Sequence, residues 1–132
     1  MPPQRRILIA EPASALRATW QSALAAMGFG VSETDNGTAA LDIAMRSDVC
    51  LLITELYLPS GIDRCLVRAM RREAALRRVR ILAVSSHTGS DDRVWALAGG
   101  ADAYLIKPVR LGQLLQVAGT LTALRRDIPD LS

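Results

Sequence analysis

The chain has 132 residues, half of them apolar and 22% charged, which suits one compact domain with a real core. Its net charge is +3, with the cations densest at Arg71, Arg72, Arg77, Arg78 and Arg80; that run accompanies no groove-reading motif and only one Phe, two Tyr and two Trp, so it reads as a solvated face and no direct nucleic-acid binding is expected. The opening MPPQRR lacks an apolar h-region and no later apolar run approaches the about 20 residues of a membrane span, so a cytoplasmic protein without membrane contact is expected.

Short apolar runs alternate with longer stretches of helical periodicity, the pattern of a parallel sheet built from βα units and covered on both faces. Ile7-Leu8-Ile9-Ala10 reads as the first strand. A helix from about Ser14 follows, with Leu16, Trp20, Ala23, Leu24 and Met27 recurring on one stripe and Gly28 and Gly30 ending it. The second strand runs from about Val31 to Thr34, Asn36-Gly37 signals a turn, and the next helix carries Ala40, Leu41, Ala44 and Met45 on one face. Val49-Cys50-Leu51-Leu52-Ile53-Thr54 is almost continuously apolar, as a central strand buried on both faces must be. After Pro59-Ser60-Gly61 a third helix carries Leu66, Val67 and Met70, and Ile81-Leu82-Ala83-Val84 forms the fourth strand. Ser90 is the expected N-cap of a fourth helix, with Asp91 and Asp92 in its first turn against the dipole, Val94, Leu97 and Ala98 facing the core, and Gly99-Gly100 as its stop. The fifth strand, Ala103-Tyr104-Leu105-Ile106, leads through Lys107-Pro108 to a last helix from about Leu111 to Arg126, with Leu114, Leu115, Ala118 and Leu121 inward. Cys50 and Cys65 lie in apolar or helical contexts without metal-ligand spacing and are expected to be reduced packing residues.

In an open parallel sheet, ligands collect outside the carboxyl ends of the strands. Those positions hold Glu11, Glu55, Ser85 and Lys107, at the ends of the first, third, fourth and fifth strands. Acids that hold Mg²⁺, with a hydroxyl and an ammonium to receive phosphoryl oxygens, are the parts phosphoryl transfer requires; a surface ion pair beside a turn serine would use the same residues. Lys107 is the only lysine among sixteen basic residues, so arginine meets every ordinary demand for surface charge. A compact ammonium in a tight pocket is not interchangeable with a guanidinium, which makes Lys107 a candidate site residue; composition alone leaves open a chance survivor of arginine-rich usage.

The segments ILIAEPASALR, NGTAALDIA, LLITELYLPSGID, ILAVSSHTGSDDRV and GADAYLIKPV resemble the receiver domains of response regulators, the CheY-like modules of two-component phosphorelay signalling. The resemblance covers residues 5–126 as one receiver domain and leaves 127–132 as a C-terminal tail. It implies a flavodoxin-like (βα)5 sandwich with a five-stranded parallel sheet in the order 2-1-3-4-5, two helices on one face and three on the other. It also implies roles. Glu55 stands at the position of the phosphoacceptor aspartate, and Glu11 matches the first member of the acidic pair, of which Pro12 replaces the second. Ser85 matches the phosphoryl-binding hydroxyl, Lys107 the site lysine, Tyr104 the aromatic switch, and Tyr57 and His87 the variable residues of the rim. The Lys107-Pro108 bond matches the family's cis peptide.

Both departures fall on the chemistry. Glu55 carries its carboxylate one methylene outward, into space where a phosphoryl group would form, and in-line attack tolerates little misplacement. Pro12 cannot coordinate a metal, so no cofactor is expected beyond weak Mg²⁺ binding by Glu11 and Glu55. The expectation is a non-enzymatic pseudo-receiver without catalytic residues that works independently of phosphorylation; the alternative is an orthodox receiver that accepts a phosphoryl group from a histidine kinase or phosphotransfer protein. Two readings of Glu55 stay open: a mimic of the phosphorylated state that reaches Lys107 and Ser85, or an inert pair with Lys107. The resemblance implies a protein partner (histidine kinase, phosphotransfer protein or output domain) or a second copy, met through the fourth helix, fifth strand and fifth helix. A flavodoxin-like ligand binder is disfavoured, because EPASAL follows the first strand in place of a G-x-G-x-x-G loop. After Arg126 no output domain is visible, which fits a stand-alone regulator or one domain of a longer protein.

Overall fold

The computed structural model describes residues 5–59, 65–87 and 89–123. Five strands, β1 (Arg6–Ala10), β2 (Gly30–Thr34), β3 (Val49–Glu55), β4 (Arg80–Ser85) and β5 (Ala103–Ile106), form one parallel sheet in the order β2-β1-β3-β4-β5. Five helices connect them: α1 (Ser14–Ala26), α2 (Gly37–Arg46), α3 (Leu66–Arg72), α4 (Ser90–Ala98) and α5 (Leu111–Ala123), with a 3-10 turn at Ala74–Leu76 before β4. This is the flavodoxin-like (βα)5 architecture and strand order that the sequence predicts.

The period-2 alternation of the strands divides the core into two layers. Ile7, Ile9, Leu51, Ile53, Leu82 and Val84 meet Trp20 and Leu24 of α1 and Leu114, Ala118 and Leu121 of α5. Leu8, Leu52, Ile81 and Ala83 meet α2, α3 and α4 on the other face. With strands on both sides and helices above and below, β3 has no solvated face, and Leu51, Leu52 and Ile53 are all fully buried. No helix among the described residues is long and apolar enough to cross a membrane.

Several local expectations are corrected. Asn36 is more than a turn residue: its Oδ1 accepts the Ala39 N–H at 2.8 Å and caps α2. Gly28, at φ +96, ends α1, but Gly30 already belongs to β2. Met27 is 48% exposed because it lies past the last helical residue, and Met45 is 50% exposed because the inward stripe of α2 runs through Ala40 and Ala44, about 100° away. Gly89 holds the cap position of α4 without a side-chain bond, and Ser90 is the first helical residue; Asp91 and Asp92 occupy the first turn as expected.

The buried face of α4 is also reassigned. Val94 is 64% and Leu97 39% exposed and Ala98 is exposed, whereas Ala96 is buried and Trp95 packs against the core. Asp92, Trp95 and Ala96 share the i, i+3, i+4 spacing of Val94, Leu97 and Ala98, so periodicity alone cannot choose between the two stripes. Part of the arginine run is structural as well. Arg71 and Arg80 flank Asp102 at 3.3 and 3.2 Å, and Asp102 Oδ2 accepts the Ile81 N–H at 2.8 Å; Arg72, Arg77 and Arg78 are exposed. Cys50 and Cys65 form no disulfide, and burial pushes both thiols up. The expected turn at Ser60-Gly61, the helix end at Arg126 and the 127–132 tail lie outside the described residues.

Candidate functional site

Parallel strands send all their carboxyl ends to one edge, and the register aligns them: Ala10 pairs with Thr54, Glu55 with Val84 and Ser85 with Ile106. Glu11 and Lys107 immediately follow β1 and β5, so all four strand-end candidates come to the same edge. Glu11 is 1% exposed, Glu55 8% and Ser85 0%.

Lys107 holds the two acids together. Its Nζ donates to Glu11 Oε1 at 2.5 Å and to Glu55 Oε1 at 3.1 Å. The remaining oxygens accept backbone N–H groups, Glu11 Oε2 from Ala13 at 2.8 Å and Glu55 Oε2 from Leu56 at 2.7 Å. Burial pushes the ammonium down, but its bonds to Glu11 and Glu55 outweigh that and hold its pKa above the ordinary 10.5. The Lys107-Pro108 peptide is cis, as expected. Arg17, which the sequence did not single out, braces the turn after β1: its guanidinium donates to the Glu11 carbonyl at 2.7 Å and pairs with Glu33 at 3.5 Å.

Of the two contacts a mimicking Glu55 would make, the one to Lys107 is formed. Among the described hydrogen bonds there is none from the Ser85 hydroxyl to Glu55; Ser85 Oγ accepts the His87 N–H at 3.1 Å. Tyr104 is turned inward, 6% exposed, with its hydroxyl donating to the His87 carbonyl at 2.7 Å; burial raises its pKa.

Tyr57 and His87 do lie on the rim. With Pro12, Glu55, Leu58 and Pro59 they line an open cleft of about 510 Å³. The Tyr57 ring meets His87 edge-on at 4.8 Å and stacks on Trp95 at 5.7 Å, and its hydroxyl donates to Asp92 Oδ1 at 2.9 Å. Burial, then the Asp92 bond, pushes the Tyr57 phenol up to about 12, so it remains a donor throughout the neutral range. Arg68 of α3 lies over the Trp95 ring at 4.1 Å and donates to its carbonyl at 3.2 Å. Asp92, Trp95 and Arg68 were not among the sequence candidates; the i, i+3 spacing of Asp92 and Trp95 on one helix face was the available signal. A second concavity of about 370 Å³, between α2 and α3, is lined by Leu41, Met45, Leu66 and Ala69 and contains none of the strand-end groups.

The donor set does not fit a tight magnesium site. Mg²⁺ demands a near-octahedral shell of oxygens. Pro12 offers no side-chain oxygen, the four oxygens of Glu11 and Glu55 each already accept a hydrogen bond, and no three His, Cys, Asp or Glu among the described residues cluster to hold a metal.

A family profile described as the response regulator receiver domain matches residues 7–118. The chain is 35% identical over 112 residues to the cell cycle transcriptional regulator CtrA of Caulobacter vibrioides, covering 83% of this chain and 47% of that protein. It is 31% identical over 106 residues to the chemotaxis protein CheY of Pseudomonas aeruginosa, covering 78% of this chain and 84% of that one. It therefore spans about half the length of the first relative and most of the second. The receiver domain of the sensor histidine kinase PA1611 of Pseudomonas aeruginosa, solved with a magnesium ion coordinated in its active site cleft, has the same fold at a TM-score of 0.81 and 23% identity, over 92% of this chain and 100% of that one.

Proposed function

The chain belongs to the response-regulator receiver family of two-component signal transduction, and from that premise we propose that it is a phosphorylation-independent receiver in which Glu55 stands permanently for a phosphorylated side chain. The observation that carries this reading is the 3.1 Å bond from Lys107 to Glu55, beside a proline at position 12. An ammonium suited to a phosphoryl oxygen already has an anionic partner supplied by the chain itself. The inward Tyr104 is consistent with an active-like arrangement. Covalent transfer is disfavoured twice, by the outward shift of the carboxylate and by the poor donor set, which leaves at most weak Mg²⁺ binding to Glu11 and Glu55.

In this reading residues 5–126 are the signalling unit, 127–132 a tail, and the chain acts in the cytoplasm by protein contact. Its partner is a second copy, a histidine kinase, a phosphotransfer protein or an output domain, met on the face of α4, β5 and α5, where Val94, Leu97, Ile106 and Leu111 are exposed.

Acetyl phosphate with Mg²⁺ should leave the intact mass unchanged. A stoichiometric phosphoryl adduct, lost in Glu55→Gln, would restore the orthodox reading. In the same reading Glu55→Asp and Glu55→Ala weaken self-association or partner binding while the fold persists; unchanged association in both would make the Glu55 to Lys107 pair inert.

A further inference from the structure

The contacts that fasten α4 to the rest of the molecule are unusual for a helix of this layer. Its only fully buried side chain is Ala96, and Val94, Leu97 and Ala98 face outward. Its specific anchors are Asp92 and Trp95, and both engage one residue, Tyr57, by a 2.9 Å hydrogen bond and a ring stack. On α3, Arg68 adds a cation over the same indole and a bond to its carbonyl.

Tyr57 is in turn joined to the acidic site. The residue before it, Leu56, donates its N–H to Glu55 Oε2 at 2.7 Å. Its ring leans on His87, whose N–H is bonded to Ser85 and whose carbonyl receives Tyr104. Tyr57 therefore touches both the segment that holds the Glu55 carboxylate and the segment that holds the inward Tyr104. Each link is a directional hydrogen bond or ring contact, and such contacts have discrete arrangements, unlike a greasy packed face.

We propose that Tyr57 is a clasp that couples the position of the Glu55 carboxylate to the placement of α4, through its bond to Asp92 and its stack on Trp95. The clasp sets how firmly α4 presents Val94 and Leu97 to a partner. This rests on the reading of Glu55 as a fixed input and assigns the route by which that input leaves the site.

The test is amide hydrogen exchange on the whole chain, following α4 with β1 and β3 as the control for an intact fold. Tyr57→Phe, which keeps the stack and loses the bond, should speed exchange in α4 about fivefold, the size of one side-chain hydrogen bond. Tyr57→Ala should speed it by about tenfold or more, since ring packing goes too. Glu55→Ala should also speed α4 exchange in the wild-type background and add nothing in Tyr57→Ala. Wild-type α4 exchange in Tyr57→Ala would overturn the clasp. A Glu55→Ala effect that is absent, or equally large with and without Tyr57, would overturn the coupling. Acetyl phosphate labelling remains a separate readout: an adduct on the wild-type chain sinks phosphorylation independence while leaving the exchange results to be judged on their own.

Discussion

Lys107 is the residue on which the site turns, because its ammonium bonds two buried carboxylates, Glu11 and Glu55. Replacing it by Met leaves Glu11 and Glu55 confronting each other without a counter-charge, and the chain should lose about 2–4 kcal/mol, below the full buried-pair value because the Lys107 side chain is 20% exposed. The pH dependence follows from the raised pKa. A group whose folded pKa exceeds its unfolded value contributes fully below the unfolded value and loses that contribution as pH rises through the folded one. Urea melts should therefore show a wild-type-minus-Lys107→Met difference that is flat from about pH 7 to 9 and shrinks above the ordinary lysine value of 10.5. A difference that already shrinks between about pH 7 and 9 would mean that another group carries it.

At the scale of elements, α4 gives the sharpest contrast between its two apolar stripes. Val94→Glu should change stability by no more than about 0.5 kcal/mol, whereas Ala96→Glu, which forces a charge under the helix, should cost about 3 kcal/mol or more. The opposite ranking in denaturant melts would reinstate the stripe of Val94, Leu97 and Ala98. The connection from α4 to β5 depends on Gly100, which sits at φ +118 and whose added Cβ would lie 2.4 Å from Arg71 Cγ. Gly100→Ala should cost about 1–3 kcal/mol and loosen the Arg71 to Asp102 pair. Gly119→Ala is the matched control: it lies inside α5 with nothing within 4 Å of the new atom, and should raise stability by about 0.5–1 kcal/mol in the same melts.

For the whole molecule, the proposed loss of phosphoryl transfer has two causes, and reversing both should restore what neither reverses alone. Pro12→Asp supplies a missing carboxylate and Glu55→Asp retracts the nucleophile. The double variant should bind Mg²⁺ at least about tenfold more tightly than the wild type by calorimetry and gain a phosphoryl mass from acetyl phosphate, with either single variant falling short. Equal labelling of the wild type would remove the premise. Association through α4, β5 and α5 is tested by Val94→Glu with Ile106→Glu, both exposed, which should shift sedimentation toward monomer without lowering stability.

The sequence alone determined the layered βα architecture, the strand order through its family resemblance, and four of the groups at the site. These were legible because β3 is apolar on both faces, and because Glu11, Glu55, Ser85 and Lys107 fall at strand ends, where topology dictates convergence. Only the tertiary structure decided which stripe of α4 is buried, since two stripes of equal spacing are distinguished by what they meet: Tyr57 and Arg68 receive Trp95 on one side, and nothing described covers Val94 on the other. It likewise decided that Arg71 and Arg80 converge on Asp102, a pairing across more than twenty positions of chain. Helical and strand periodicities are local properties of the chain, whereas a side chain's partner is set by the packing of segments remote in sequence.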